Sequence, residues 1–436
     1  MKSTRPLAPY FDRLERGSTL RWHGRVLQVV GNLVESAGPF CSVGDCCEII
    51  SSDGRRYAAE IIGFRGSTIL SMPLEAPQGV RFGDQIVSWG TRPLLRVGPD
   101  LLGRVISGSG EPLDSKGDYR ATKTVLMAGS APLPLARVPI REALGCGIRA
   151  IDGFLTCGRG QRVGIFGGSG VGKSTLIGMM ARGTSADLIV LALVGERGRE
   201  VGDFLELLGE EGRSRSVVVV STSDQSPLLR MRAALAATSI AEYFAHAGKD
   251  VLLVVDSITR FAMAQREIGL AAGEPPTAKG YTPSVLNTLA RLVERAGRFT
   301  QGSLTAFYTV LMEGDDQQDP VVDTVRSLLD GHVMLDRNLA AKNHYPPISI
   351  LDSLSRLMTS VTSPEHLSRA QQLRALLATY TRSEDLIRIG AYQKGSDPAL
   401  DKAIDVIPSL NAFLQQRPAE VCALPSTVEQ LMSLAN

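Results

Sequence analysis

Three textures of apolar and polar positions follow one another along this chain. From about 22 to 92 the apolar positions come in brief strand-like stretches: Gly24–Gly31, Leu33–Glu35, Cys46–Ile50, Tyr57–Phe64, Thr68–Met72 and Gln85–Ser88. Turn residues separate them at Gly44-Asp45, Ser52-Asp53-Gly54, Arg65-Gly66-Ser67 and Gly83-Asp84. Strands with turns every ~8–12 residues predict a small all-β barrel or sandwich. From 161 to about 350, apolar runs alternate with helical stripes. The runs are Gln161–Phe166, Leu188–Val194, Ser216–Ser221, Val251–Asp256, Leu304–Leu311 and His332–Leu335, and Pro227–His246 between two of them is helical. That alternation predicts a mostly parallel sheet with helices on both faces. Beyond Thr362 the pattern turns helical: Ser363-Pro364 caps a helix carrying Leu367, Ala370, Leu373, Leu376 and Leu377, and Ser426–Glu429 reads as a capping box before a last short helix.

The connecting stretches are less regular. Arg92-Pro93 opens a linker, Leu101–Ile106 with Gly110–Asp114 reads as a strand and turn, Pro132–Pro139 as extended chain, and Gly147–Leu155 as a helix. The expected organisation is a short polar segment at 1–21, a β-barrel domain at 22–92, an α/β domain at 93–362 and a helical domain at 363–436. Leu7–Leu14 could add an amphipathic turn that docks a partner, or a frayed terminus.

With 436 residues, 44% hydrophobic and 21% charged, the chain has the make-up of a multidomain globular protein, and its net charge of +2 gives no electrostatic case for nucleic acid or membrane. Without an apolar run near ~18 residues or a signal-peptide core, a cytoplasmic location is expected. The six cysteines and five histidines show no metal-ligand spacing. Tyr57, Phe64, Phe82 and Trp89 are scattered, which disfavours an RNA-stacking surface on the barrel.

The chemistry concentrates at Gly167-Gly168-Ser169-Gly170-Val171-Gly172-Lys173-Ser174, which fits G-x-x-x-x-G-K-[ST] between an apolar strand and a helix beginning Thr175-Leu176. In that setting backbone N–H groups and the helix N-terminus cradle phosphate oxygens. Lys173 would reach the β- and γ-phosphates, and Ser174 would offer its hydroxyl to Mg²⁺. Asp256, ending the strand from Val251, is the expected acid on the metal side. Glu196, in the charged run after the strand from Leu188, is the candidate for orienting the attacking water; a solvated charge cluster is the alternative reading of that run.

Further stretches support a family resemblance: Gly158–Ser174, Val194–Val201, Asp256–Gly269, Glu313–Pro320 and Leu329–Val333. On these the chain resembles the catalytic ATPase of the flagellar and virulence-type (type III) protein export apparatus, which is similar to the catalytic β-subunit of rotary ATP synthases. The resemblance implies a RecA-like central domain. It also implies ATP and Mg²⁺ as ligands, Glu196 as the water-activating carboxylate, Arg197 near the γ-phosphate and Asp256 as the Walker B acid. Ser353-Leu354-Ser355-Arg356 matches the segment whose arginine reaches the next subunit's nucleotide, and Tyr345 and Tyr392 match positions near the adenine. A ring pore around Asp315 and Asp316 is implied too.

The expected protein is therefore a homohexameric ATPase energising flagellar export. Its expected partners are a regulator or stator protein, a stalk protein, the export gate at the inner membrane and chaperone–substrate complexes. An injectisome ATPase, a rotary synthase subunit and a hexameric RNA translocase are the alternatives.

Overall fold

The computed structural model describes residues 21–312 and 319–434. Leu7–Leu14 and the loop at Asp315 and Asp316 lie outside the described residues. The first texture closes into an antiparallel barrel in the order Trp22–Val30, Leu33–Ala37, Thr68–Pro73, Arg56–Arg65, Cys46–Ile50 and Gln85–Ser88, the last pairing back to the first. The alternation fills its interior with Val26, Val34, Ile49, Ile61, Ile69 and Ile86. Closure leaves no open edge, which settles barrel over sandwich.

The central sheet runs Ile348–Ser355, Gly331–Leu335, Arg162–Gly167, Ser303–Leu311, Asp250–Asp256, Leu188–Glu196, Ser216–Thr222 and Val105–Ser107. All neighbours are parallel except the first pair. Side chains alternate between two cores. Val190, Ala192, Leu253 and Val255 face one, while Ile189, Leu191, Leu252 and Val254 face the other. Pro227–His246, Ile258–Ala272 and Pro283–Val293 cover the first face; Lys173–Gly183 and Gly198–Ser214 cover the second. Burial on both faces is why these strands read as unbroken apolar runs.

Two features depart from the sequence reading. The last helix is Leu424–Ser433, so Ser426 sits inside its first turn instead of capping it. Pro425 fits at the start of that helix because a first-turn N–H has no intrahelical partner to lose. A two-stranded ribbon, Leu94–Val97 with Lys123–Leu126, occupies part of the expected linker.

The C-terminal helices dock on the second face through a buried arginine. Arg149 Nε donates to the Phe413 carbonyl at 2.8 Å and Nη2 to that of Gln415 at 2.5 Å, and Nη1 pairs with Glu420. Beside it, the fully buried Asp152 accepts from the backbone N–H groups of Cys146 (2.8 Å) and Gly147 (2.9 Å). Among the described residues no helix is long and apolar enough to cross a membrane.

Candidate active site

Parallel pairing brings the C-terminal ends of the central strands to one edge of the sheet. Gly167 is level with Leu311, Val255 with Tyr308 and Leu193 with Asp256. In open α/β sheets this is the edge where ligands bind. The loop leaves Gly167 and turns through Gly170 (φ 78°) and Gly172 (φ 96°), left-handed conformations that favour glycine. Gly172 caps the helix Lys173–Gly183, so the first N–H groups of that helix face the space above the sheet. Ser169 and Ser174 are exposed there, Thr175 is half-buried, and Val171 is buried as the loop's apolar anchor.

Lys173 is buried and donates to the carbonyls of Gly167 (3.0 Å) and Gly168 (2.7 Å), so its ammonium group ties the loop back onto its own strand. Burial pushes its pKa down to about 8, against the upward pull of Asp256 and Glu196. Asp256 is buried close by; burial raises its pKa, while a hydrogen bond from the Thr309 hydroxyl at 2.6 Å and the charge of Lys173 oppose the rise.

Glu196 is aimed by a bulge. The register between Leu188–Glu196 and Ser216–Thr222 slips between Val194 and Glu196, and Gly195 has φ 69°. A bulge of this kind redirects the side chain that follows it. Glycine also has a steric reason here, because a Cβ on Gly195 would come within 3.0 Å of Arg260 Cδ. Arg260 bonds the Gly195 carbonyl and reaches Glu196, with Nε 3.2 Å from Oε1. Burial pushes the Glu196 carboxyl up to about 8, its hydrogen bond with Glu200 and the charge of Asp256 add to the rise, and Arg260 pulls it back. Glu200 shifts the opposite way, held down first by that same hydrogen bond.

The structure thus brings Lys173, Ser174, Glu196 and Asp256 to one edge and adds Arg260, which the sequence reading misses as one more residue in a helical stretch. The available signal is position: Ser257 caps the helix Ile258–Ala272 directly after Asp256, which puts Arg260 on the first turn above the site. Arg197 projects into solvent, 3.8 Å from Glu200. Tyr345 is exposed beside the loop, its ring 3.9 Å from where a Cβ on Gly172 would lie, and its carbonyl accepts from Gln416 N at 2.8 Å.

Tyr392 does not join it. Its hydroxyl bonds the Asp397 carbonyl (3.0 Å) and the Asp401 carboxylate (2.9 Å) at the start of the helix Pro398–Leu414, whose other end leads into Gln416. The helix from Asp401 to Leu414 spans about 20 Å, which places the Tyr392 hydroxyl at the end of that helix away from Gln416 and Tyr345.

Arg356 is exposed and follows the edge strand at the opposite end of the sheet. Ser355 pairs with Gly331, which pairs with Val163 near the start of the loop strand. From there to Gly167 is about 13 Å at ~3.3 Å per residue, before the loop itself is added.

Residues 147–355 match the ATP synthase alpha/beta family, nucleotide-binding domain, and residues 362–433 match the T3SS EscN ATPase C-terminal domain. A flagellum-specific ATP synthase of Bacillus subtilis is 50% identical over 426 residues, covering 97% of each chain. A type 3 secretion system ATPase of Xanthomonas euvesicatoria is 47% identical over 418 residues, covering 95% of each. Among solved structures, the assembled ATPase EscN in complex with its central stalk EscO, from the type III secretion system of enteropathogenic E. coli, superposes with a TM-score of 0.88 at 44% identity. That match covers 95% of this chain and 100% of the other. On these grounds the chain belongs to the family of flagellum-specific and type III secretion ATPases.

Proposed function

We propose that this chain hydrolyses ATP in a homohexameric ring and drives flagellar protein export, releasing chaperones from export substrates and unfolding them. The observation that carries this reading is the meeting of a phosphate loop, Asp256 and a largely buried Glu196 side chain at one strand edge, with Arg356 at the far end of the same sheet. The loop N–H groups and Lys173 bind the β- and γ-phosphates, Lys173 exchanging its loop carbonyls for phosphate oxygens. Glu196, oriented by Arg260, orients and polarises the attacking water and, in its ionised form, accepts the proton. Tyr345 offers its ring to the adenine, and Arg356 enters the neighbouring subunit's site, where Arg197 also faces the incoming charge.

Ser174 hydroxyl and Asp256 carboxylate are two hard oxygen donors at the loop mouth, a set that suits Mg²⁺ completed by water and phosphate. The ion would neutralise charge developing on the transferred phosphoryl group.

A stalk protein in the ring's centre, as in the EscN–EscO complex, a regulator and the export gate are the partners that go with this function. No nucleic acid is needed, and the place of work is the cytoplasmic face of the inner membrane. The 47% identity to a type 3 secretion system ATPase favours an injectisome role as the second reading. Complementation of export-ATPase deletions in both systems separates the two.

The catalytic reading is tested by Glu196→Gln. The variant should bind ATP while losing hydrolysis by at least about 10²-fold, the typical range for removing a general base. Undiminished turnover would remove Glu196 from that role.

A further inference from the structure

Gln161, just before the loop strand, and Arg162, its first residue, lie at the end of that strand away from the nucleotide edge. Gln161 is fully buried. Its Oε1 accepts from Gly158 N at 2.8 Å, and its Nε2 donates to the Asp330 carbonyl at 3.3 Å and to the Ser355 hydroxyl at 3.2 Å. Arg162 grips Asp330 three times: backbone N to Oδ2 at 3.0 Å, Nε to Oδ2 at 3.1 Å and Nη2 to Oδ1 at 3.1 Å. Its Nη1 holds Glu294 at 2.6 Å, and Glu294 is held in turn by Arg137 at 2.8 Å.

Asp330 and Ser355 are the residues against which Arg356 is set. Arg356 N donates to the Asp330 carbonyl at 2.9 Å, and Ser355 immediately precedes it. The Ser355 hydroxyl also donates to the Thr156 carbonyl at 3.0 Å. The backbone entering Arg356 is therefore held, through Ser355 and Asp330, by the start of the strand whose other end is the phosphate loop. That strand, Arg162–Gly167, is paired on both edges with parallel neighbours, so it can shift only as a unit with them.

We propose that Gln161 and Arg162 are positioning residues for Arg356, so that the strand carrying one subunit's phosphate loop also sets the arginine that the subunit presents to its neighbour. This rests on Arg356 acting in trans. Loss of either contact leaves the subunit's own loop, Lys173, Glu196 and Asp256 in place while loosening the arginine it lends. The consequence falls on kcat of the adjacent site, with little change in its nucleotide affinity.

Mixed rings isolate that effect. Glu196→Gln subunits have no chemistry of their own but supply an intact Arg356; Arg356→Ala subunits supply intact sites. Mixed in equal amounts, the two should recover ATPase activity that neither has alone. Replacing the first partner by Glu196→Gln/Gln161→Ala should lower the recovered rate about tenfold or more with KM changed less than about threefold, assembly being checked by mass measurement. A general weakening of the mutated subunit's own site would not register, because that site is already inactive. Arg162→Lys in the same background keeps a cation but cannot hold both Asp330 oxygens, and should give an intermediate rate; it serves also if the Gln161 variant does not assemble. Equal recovery with the unaltered and altered donors in assembled rings would overturn the positioning role. No recovery in the parent mixture, with assembled rings, would overturn the in-trans reading of Arg356 and the positioning role with it.

Discussion

Replacing Arg149 by Met should loosen the C-terminal helices from the nucleotide-binding sheet and weaken ATP binding more than turnover. The guanidinium is buried and makes two hydrogen bonds to the Phe413 and Gln415 carbonyls besides its pairing with Glu420. Methionine fills much the same volume but donates nothing. Hydrogen bonds from a charged donor contribute roughly 1.5–3 kcal/mol each. Glu420 is 39% exposed at its side chain and regains water, so its pairing adds little. Two lost bonds therefore cost about 3–6 kcal/mol.

The loss is local, because Arg149 joins the helix Arg149–Phe154 to the segment 413–420 and the central sheet does not depend on it. Hydrogen exchange should report it as a fall of about 10²–10⁴ in amide protection across 398–434, with the strands at 162–167 and 250–256 unchanged. The same segment holds Tyr345 through Gln416 N, so KM for ATP should rise several-fold while kcat changes little. Unchanged protection across 398–434, or a fall in kcat at constant KM, would refute the argument.

Arg356→Ala should bind nucleotide with near-parental affinity and hydrolyse it about 10³-fold more slowly, the scale typical of such fingers; equilibrium binding beside steady-state turnover reads both. Asp152 supplies a pH prediction. Burial pushes its carboxyl up to about 7 in the folded chain, above its unfolded value near ~3.9, so the stability tied to its proton is complete below about pH 4 and lost as pH rises through 7. The difference approaches about 4 kcal/mol. Against Asp152→Asn, which does not titrate, the parent should lose Tm steadily from pH 4 to 8; parallel Tm–pH curves would contradict the assignment.

Much of this fold is legible in the sequence because its strands are buried on both faces. The run from Val251 to Asp256 needs no periodicity argument: apolar residues followed at once by a carboxylate mark a strand that emerges at a polar site. Glu196 is harder to read. Its role depends on a register slip at Gly195 that only the pairing with Ser216–Thr222 makes visible. Arg260 is obscured because an arginine on a first helical turn looks solvated until the neighbouring strand is placed beside it. The edge strand Ile348–Ser355 alternates weakly and pairs antiparallel, so it lacks the apolar run that marks its neighbours. Motif matching sets Tyr345 and Tyr392 side by side and says nothing of the 17-residue helix Pro398–Leu414, whose first turn holds the Tyr392 hydroxyl and whose far end leads to the Tyr345 carbonyl.

The central claim is that the hydrolysis site is completed by a neighbouring subunit. ATPase activity per subunit, measured across a dilution series with the mass of the particles followed in parallel, tests it most directly. The account predicts that activity per subunit rises steeply with protein concentration and levels off as rings form. Full activity per subunit in dilute samples whose mass shows only monomers would contradict it.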